Sequence, residues 1–84
     1  MKVFYVCAVK DELTGTFMQP TFAETIAEIQ RLFEYQVNNT ALWKSNSADY
    51  SLFKLGTFNA ETGIFESNIE KIIGGRAVVR KEEE

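Results

Sequence analysis

From residue 2 to residue 10 the chain is apolar on both of its alternating sets of positions. Val3, Tyr5, Cys7 and Val9 make one set; Phe4, Val6 and Ala8 make the other. Side chains alternate across a strand, and both sets are rich in β-branched and aromatic residues. The segment therefore reads as a strand buried on both faces, at the centre of a sheet. Asp11-Glu12-Leu13-Thr14-Gly15 reads as a turn and Thr16-Phe17-Met18 as a short return strand. The period then changes. Pro20-Thr21 opens a helix, with Thr21 as N-cap and Glu24 completing a capping box. Phe22, Ile26, Ile29, Phe33 and Val37 recur three or four positions apart, the stripe of an amphipathic helix. Leu32 widens the stripe, and Glu24, Glu28, Arg31 and Glu34 line the remaining surface. The spacing predicts a helix over residues 22–37, ended by Asn38-Asn39.

Residues 38–49 form a polar connection with one large anchor, Trp43. A second hairpin follows: a strand over residues 50–58, a turn at Asn59-Ala60-Glu61-Thr62-Gly63, and a return at Ile64-Phe65-Glu66. Residues 69–73 fit either a helical turn or a short strand. Gly74-Gly75 breaks the pattern, and Ala77-Val78-Val79 is a candidate fifth strand at an edge. The order is β-β-α-β-β, an α+β fold: a small antiparallel sheet with one amphipathic helix on one face. The 84 residues suffice for one domain, placed at residues 1–81, with a frayed acidic tail at residues 82–84. One helix covers one face of a sheet. The apolar surface left on the other face predicts self-association, as a two-fold homodimer.

Composition sharpens this picture in two ways. Seven Phe, three Tyr and one Trp give an aromatic fraction of 13%, heavy for so short a chain. There is one cysteine and no histidine. That excludes a disulfide framework, imidazole acid–base catalysis and the commonest metal ligand. Cys7, within Val-Cys-Ala-Val, reads as a buried thiol acting as a small hydrophobe. Asp11 with Glu12 and Glu24 with Glu28 are explained by turn and cap chemistry before acid–base catalysis. Gly74-Gly75-Arg76 lacks the Lys-Ser/Thr that follows a nucleotide-binding loop. No enzyme activity, metal or cofactor is expected, and no apolar stretch reaches the roughly 20 residues of a membrane span. Net charge is −3, yet residues 71–81 carry Lys71, Arg76, Arg80 and Lys81 and no acid, directly before Glu82-Glu83-Glu84. Cations beside rings are how single-stranded nucleic acid is gripped, phosphates on the cations and bases on the rings. The candidate phosphate contacts are Arg76, Arg80, Lys81 and Lys54, with Lys44 extending the patch. Tyr50 and Trp43 are the candidate stacking rings, and the acidic tail is a competitor for the cations. The competing reading is a solvated terminus of mixed charge.

The strings Asn39-Thr40-Ala41-Leu42-Trp43, Asp49-Tyr50-Ser51-Leu52-Phe53-Lys54-Leu55-Gly56-Thr57-Phe58 and Thr62-Gly63 resemble the small nonstructural protein of gokushovirus-type Microviridae, phages with circular single-stranded DNA genomes. The resemblance spans residues 2–66, with the hairpin as its specific part. Members often carry a His-Pro pair shortly before the Asp-Tyr; here Ser45-Asn46-Ser47-Ala48 stands instead. The resemblance implies a non-catalytic protein of the infected bacterial cytoplasm, acting around genome replication or packaging, with no catalytic residues to carry over. In the hairpin, Gly56 and Gly63 serve backbone geometry, Leu52, Leu55 and Phe58 the core, and Asp49 the strand entrance. Together these readings lead to an accessory protein that binds single-stranded DNA or the phage replication–packaging proteins. The alternative is an adaptor that acts on a host or phage protein without touching nucleic acid.

Overall fold

The computed structural model describes residues 2–80. Two hairpin turns built to one plan organise the sheet. In Asp11-Glu12-Leu13-Thr14-Gly15 the Asp11 carboxylate accepts from the backbone N–H groups of Leu13 and Thr14. Asn59 does the same for Glu61 and Thr62 through its side-chain oxygen. Each turn closes when a glycine N–H bonds the first residue's carbonyl, Gly15 to Asp11 at 2.8 Å and Gly63 to Asn59 at 2.7 Å. Both glycines sit at positive φ, 76° and 77°, a region that costs other L-residues about 1–2 kcal/mol. The pattern Asx-x-x-Thr-Gly thus fixes both reversals.

The first turn joins β1 (Val3–Asp11) to β2 (Thr16–Phe17). The second joins β4 (Tyr50–Asn59) to β5 (Ile64–Gly74). β1 and β4 pair antiparallel along their whole length, and β5 lies outside β4. β3 (Thr21–Ala23) pairs with Tyr5, Val6 and Cys7 on the edge of β1 that β2 leaves free. The sheet has five strands, with β2 and β3 as two pieces of one interrupted edge. The expected antiparallel sheet with its helix is therefore present.

Three local expectations are corrected. The helix α1 runs Ile26–Asn39, not from residue 22. Two Thr-x-x-Glu boxes stand four residues apart, and the second caps the helix: Thr25 Oγ1 accepts from the Glu28 N–H while Glu28 accepts from the Thr25 N–H. Thr21 and Phe22 join β1 instead, because its edge beside Tyr5–Cys7 would otherwise leave backbone groups unpaired. The return strand is longer than residues 64–66 and runs to Gly74, which resolves residues 69–73 as strand. Residues 77–79 form no fifth strand. A 3₁₀ turn over Gly75–Val78 tucks Val78 into the core. The Asn38 side-chain amide holds that segment, donating to the Val78 carbonyl at 2.9 Å and accepting from the Arg80 N–H at 2.7 Å. The polar connection also contains a short helix, α2 (Ala41–Ser45).

The core lies between α1 and one sheet face. Ile29, Phe33 and Val37 of α1 meet Cys7, Tyr50, Leu52 and Val78, with Tyr5, Val9, Trp43, Ile72 and Ile73 packed around them. Burial pushes the Cys7 thiol above its ordinary value of 9.0, the positive charge of Lys54 opposing the shift. A raised folded pKa keeps the thiol neutral, and the stability it carries is full below 9.0 and declines as pH rises above that value. Native protein at pH 8 is therefore expected to leave Cys7 unmodified by an aromatic disulfide reagent, with the reaction proceeding only at the rate of unfolding. Rapid colour release from folded protein would contradict this burial.

Candidate nucleic-acid interface

The sheet face opposite α1 is set by the alternation of β1. Tyr5, Cys7 and Val9 point to the helix, so Phe4, Val6, Ala8 and Lys10 point away from it. Register then assigns the neighbours. Phe4 lies opposite Phe58, Val6 opposite Phe22, Ala8 opposite Phe53 and Lys10 opposite Phe17. On β5, Phe65 lies opposite Phe58 and Lys71 opposite Phe53. Six of the seven phenylalanines thus share one surface, and only Phe33 is in the core.

A bulge makes this possible. Val6 pairs with Gly56 and Cys7 with Lys54, leaving Leu55 as an extra residue on β4. An extra residue reverses the alternation beyond it. Leu52 and Lys54 stay on the helix side, and Phe58 turns to the open side with Phe53. Leu55 and Phe58, expected in the core, instead belong to the open side. Gly56 is required at the bulge because a Cβ there would collide with the Glu66 carbonyl.

The rings form two clusters. Phe22, Phe58 and Phe65 contact one another, with centroids 4.8–6.1 Å apart. Phe17 meets Phe53 edge-on at 5.4 Å. Val6 and Ala8 are buried beneath and between them. A shallow dent beside Phe65 is lined by Val6, Leu55, Gly56, Phe65, Glu66 and Ser67. Phe17, Phe22 and Phe65 remain 39%, 47% and 62% exposed, so part of each ring is accessible to a ligand.

Lysines border the rings. Lys10 Nζ lies 5.7 Å from the Phe17 centroid and 5.6 Å from that of Phe53. Lys2 Nζ lies 5.7 Å from the Phe4 ring. Each has an exposed carboxylate close by, Glu24 at 2.9 Å from Lys2 and Glu12 at 3.8 Å from Lys10. Such exposed pairs are worth only about 0–1 kcal/mol, so a phosphate displaces them readily. Glu66 and Glu70 lie on the helix side, opposite Thr57 and Lys54.

The residues proposed from sequence are distributed elsewhere. Tyr50 is buried and stacks on Trp43 at 4.4 Å and 10°, so the two rings occupy each other's faces beside the core. Lys54 lies on the helix side, its amine 3.2 Å from Glu70. Arg80 reaches Glu34 of α1 at 3.5 Å, and Arg76 is exposed on the 3₁₀ turn. Lys81 and the tail at residues 82–84 lie outside the described residues. The basic stretch is therefore split: Lys71 joins the aromatic face, whereas Arg80 joins the outer side of the helix. Lys2, Lys10 and the phenylalanines were missed as site residues. The even positions of β1 were a usable signal for Lys10, which continues Phe4, Val6 and Ala8.

Among the described residues no group of three cysteine, aspartate or glutamate side chains gathers as a metal site. No helix among them is long and apolar enough to cross a membrane.

The family model described as Phage ORF5 protein matches residues 4–78, nearly the whole folded chain. No curated protein and no solved structure matches it.

Proposed function

The chain belongs to the phage ORF5 protein family, and from that premise we propose that it is a non-catalytic phage accessory protein that binds single-stranded DNA on its open aromatic face. One observation carries the reading: Phe4, Phe17, Phe22, Phe53, Phe58 and Phe65 share a sheet surface with Lys2, Lys10 and Lys71 that the helix leaves bare. A single strand presents unstacked bases and a charged backbone together. Each base stacked on an aromatic ring contributes about 1–3 kcal/mol, whatever its identity. A duplex keeps its bases inside the stack and has no equivalent surface to offer.

The hairpin's resemblance to gokushovirus nonstructural proteins supports nucleic acid as the ligand, since such phages pass through single-stranded genomes. The proposed setting is the host bacterial cytoplasm during genome synthesis, with phage replication or packaging proteins as further partners. The net charge of −3 favours a second reading, an adaptor that docks a phage or host protein on the same rings.

The test is a fluorescence-anisotropy titration with labelled single-stranded oligonucleotide, duplex as control, over a series of salt concentrations. Single-strand binding is expected to exceed duplex binding. Affinity should fall with a log–log salt slope of about −0.7 per phosphate contact. Replacing Lys10 and Lys71 with Ala should flatten that slope by roughly 1.4, whereas replacing Arg76 and Arg80 should leave it unchanged. Flattening by the arginine pair alone would move the phosphates to the C-terminal segment. Absence of binding at low salt, or equal duplex binding, would overturn the reading in favour of the adaptor.

A further inference from the structure

The two edges of the sheet are built differently. On one side the edge is broken into β2 and β3, of two and three residues, with Met18-Gln19-Pro20 between them. Interruption and proline are devices that stop an edge from templating another strand. On the other side β5 is continuous for 11 residues without proline, its ladder with β4 shifting register at residues 68–69 and at Ile72, and among the described residues its outer side pairs with no strand. It also carries three exposed large apolar side chains: Ile64 at 58%, Phe65 at 62% and Ile69 at 61%.

We infer that β5 is the pairing edge for a second copy of this chain, joined antiparallel about a two-fold axis at Ser67. The occupant is identified by self-complementarity. With Ser67 opposite its own copy, Phe65 faces Ile69 of the partner subunit, and Ile69 faces the partner's Phe65. Aromatic and β-branched residues directly opposite stabilise a ladder. On the helix side, Glu66 faces the partner's Asn68, and Glu70 faces the partner's Ile64, so no like charges stand directly opposite each other. Shifting the centre to Asn68 would set Glu66 against the partner's Glu70, a like-charge pair that the ladder disfavours. A centre at Ile69 sets Ser67 against the partner's Lys71 and removes the Phe65–Ile69 pairs.

The symmetry has a consequence for the open face. An axis through an antiparallel edge pair stands perpendicular to the sheet. Both helices then lie on one side, and both aromatic faces lie on the other as one surface. The dimer goes beyond the DNA-binding reading and stands without it.

Sedimentation at micromolar concentration, in the absence of nucleic acid, tests the pairing. The unaltered protein is expected to sediment as a species of twice the 9.6 kDa chain mass. Ser67→Lys alone and Ser67→Glu alone should each shift it to the single-chain mass, because the substituted position faces itself. An equimolar mixture of the two variants should restore the dimer. Ser67 is exposed, and circular dichroism of each variant establishes that it is folded. A single-chain mass for the unaltered protein would overturn the proposal. So would dimers that persist in both single-charge variants, which would place the interface on another surface.

Discussion

Replacing Phe17 and Phe65 together with Ala is expected to weaken single-strand binding by roughly 2–6 kcal/mol, the sum of two stacking rings. The rings belong to separate clusters, Phe17 with Phe53 and Phe65 with Phe22 and Phe58. They share no partner, so their effects should add. In affinity this is a loss of about 30-fold to more than 10⁴-fold. The salt slope should stay where it was, because neither ring touches a phosphate. That separates the pair from Lys10 and Lys71, whose removal changes the slope. The fold should survive, with about 1 kcal/mol lost per ring from its edge contacts. Anisotropy titrations at several salt concentrations, made well below the melting midpoint, check both quantities. A loss under threefold, or a slope that moves with the rings, would mean that bases do not stack on this face.

What the chain disclosed in advance follows from how local each determinant is. The strand at residues 2–10 was legible because apolar residues on both alternating sets leave a central strand as the simplest solution. The helix stripe at Ile29, Phe33 and Val37 was legible for the same reason, and those three residues are its buried set. Its start was not, because Thr21-x-x-Glu24 and Thr25-x-x-Glu28 are equal as capping boxes. The choice between them rests on the free edge of β1, which is a tertiary fact. The open face was missed for a related reason. Phe58 reaches it only through the extra residue Leu55, and a bulge leaves no period in the sequence. Tyr50 and Trp43 were natural candidates as rings near cations. Register puts Tyr50 on the helix side, at the end of β4, where the aromatic stack with Trp43 closes the core.

Phe33 is the phenylalanine that the structure assigns to stability, and Phe33→Ala is expected to destabilise the fold by about 3–5 kcal/mol. It is 3% exposed and belongs to the cluster of Cys7, Ile29, Val37, Tyr50, Leu52 and Val78. Total stability at roughly 0.05–0.15 kcal/mol per residue is itself small for so short a chain, so the variant should sit near its unfolding transition at room temperature. The thin core gives little scope for collapse around the missing ring. α1 meets one face of a sheet whose other face no helix among the described residues covers, so no second layer there moves in to fill the void. Urea denaturation followed by Trp43 fluorescence reads this directly. The midpoint should fall steeply with the slope unchanged, which marks lost stability in a two-state transition. Phe17→Ala makes the opposite contrast. Its ring is 39% exposed and leaves no enclosed void, so its loss should cost about 1 kcal/mol of stability and most of its effect should appear in binding. Equal destabilisation by the two substitutions would make the open face part of the folded core, and the aromatic surface would then lose its role as a platform.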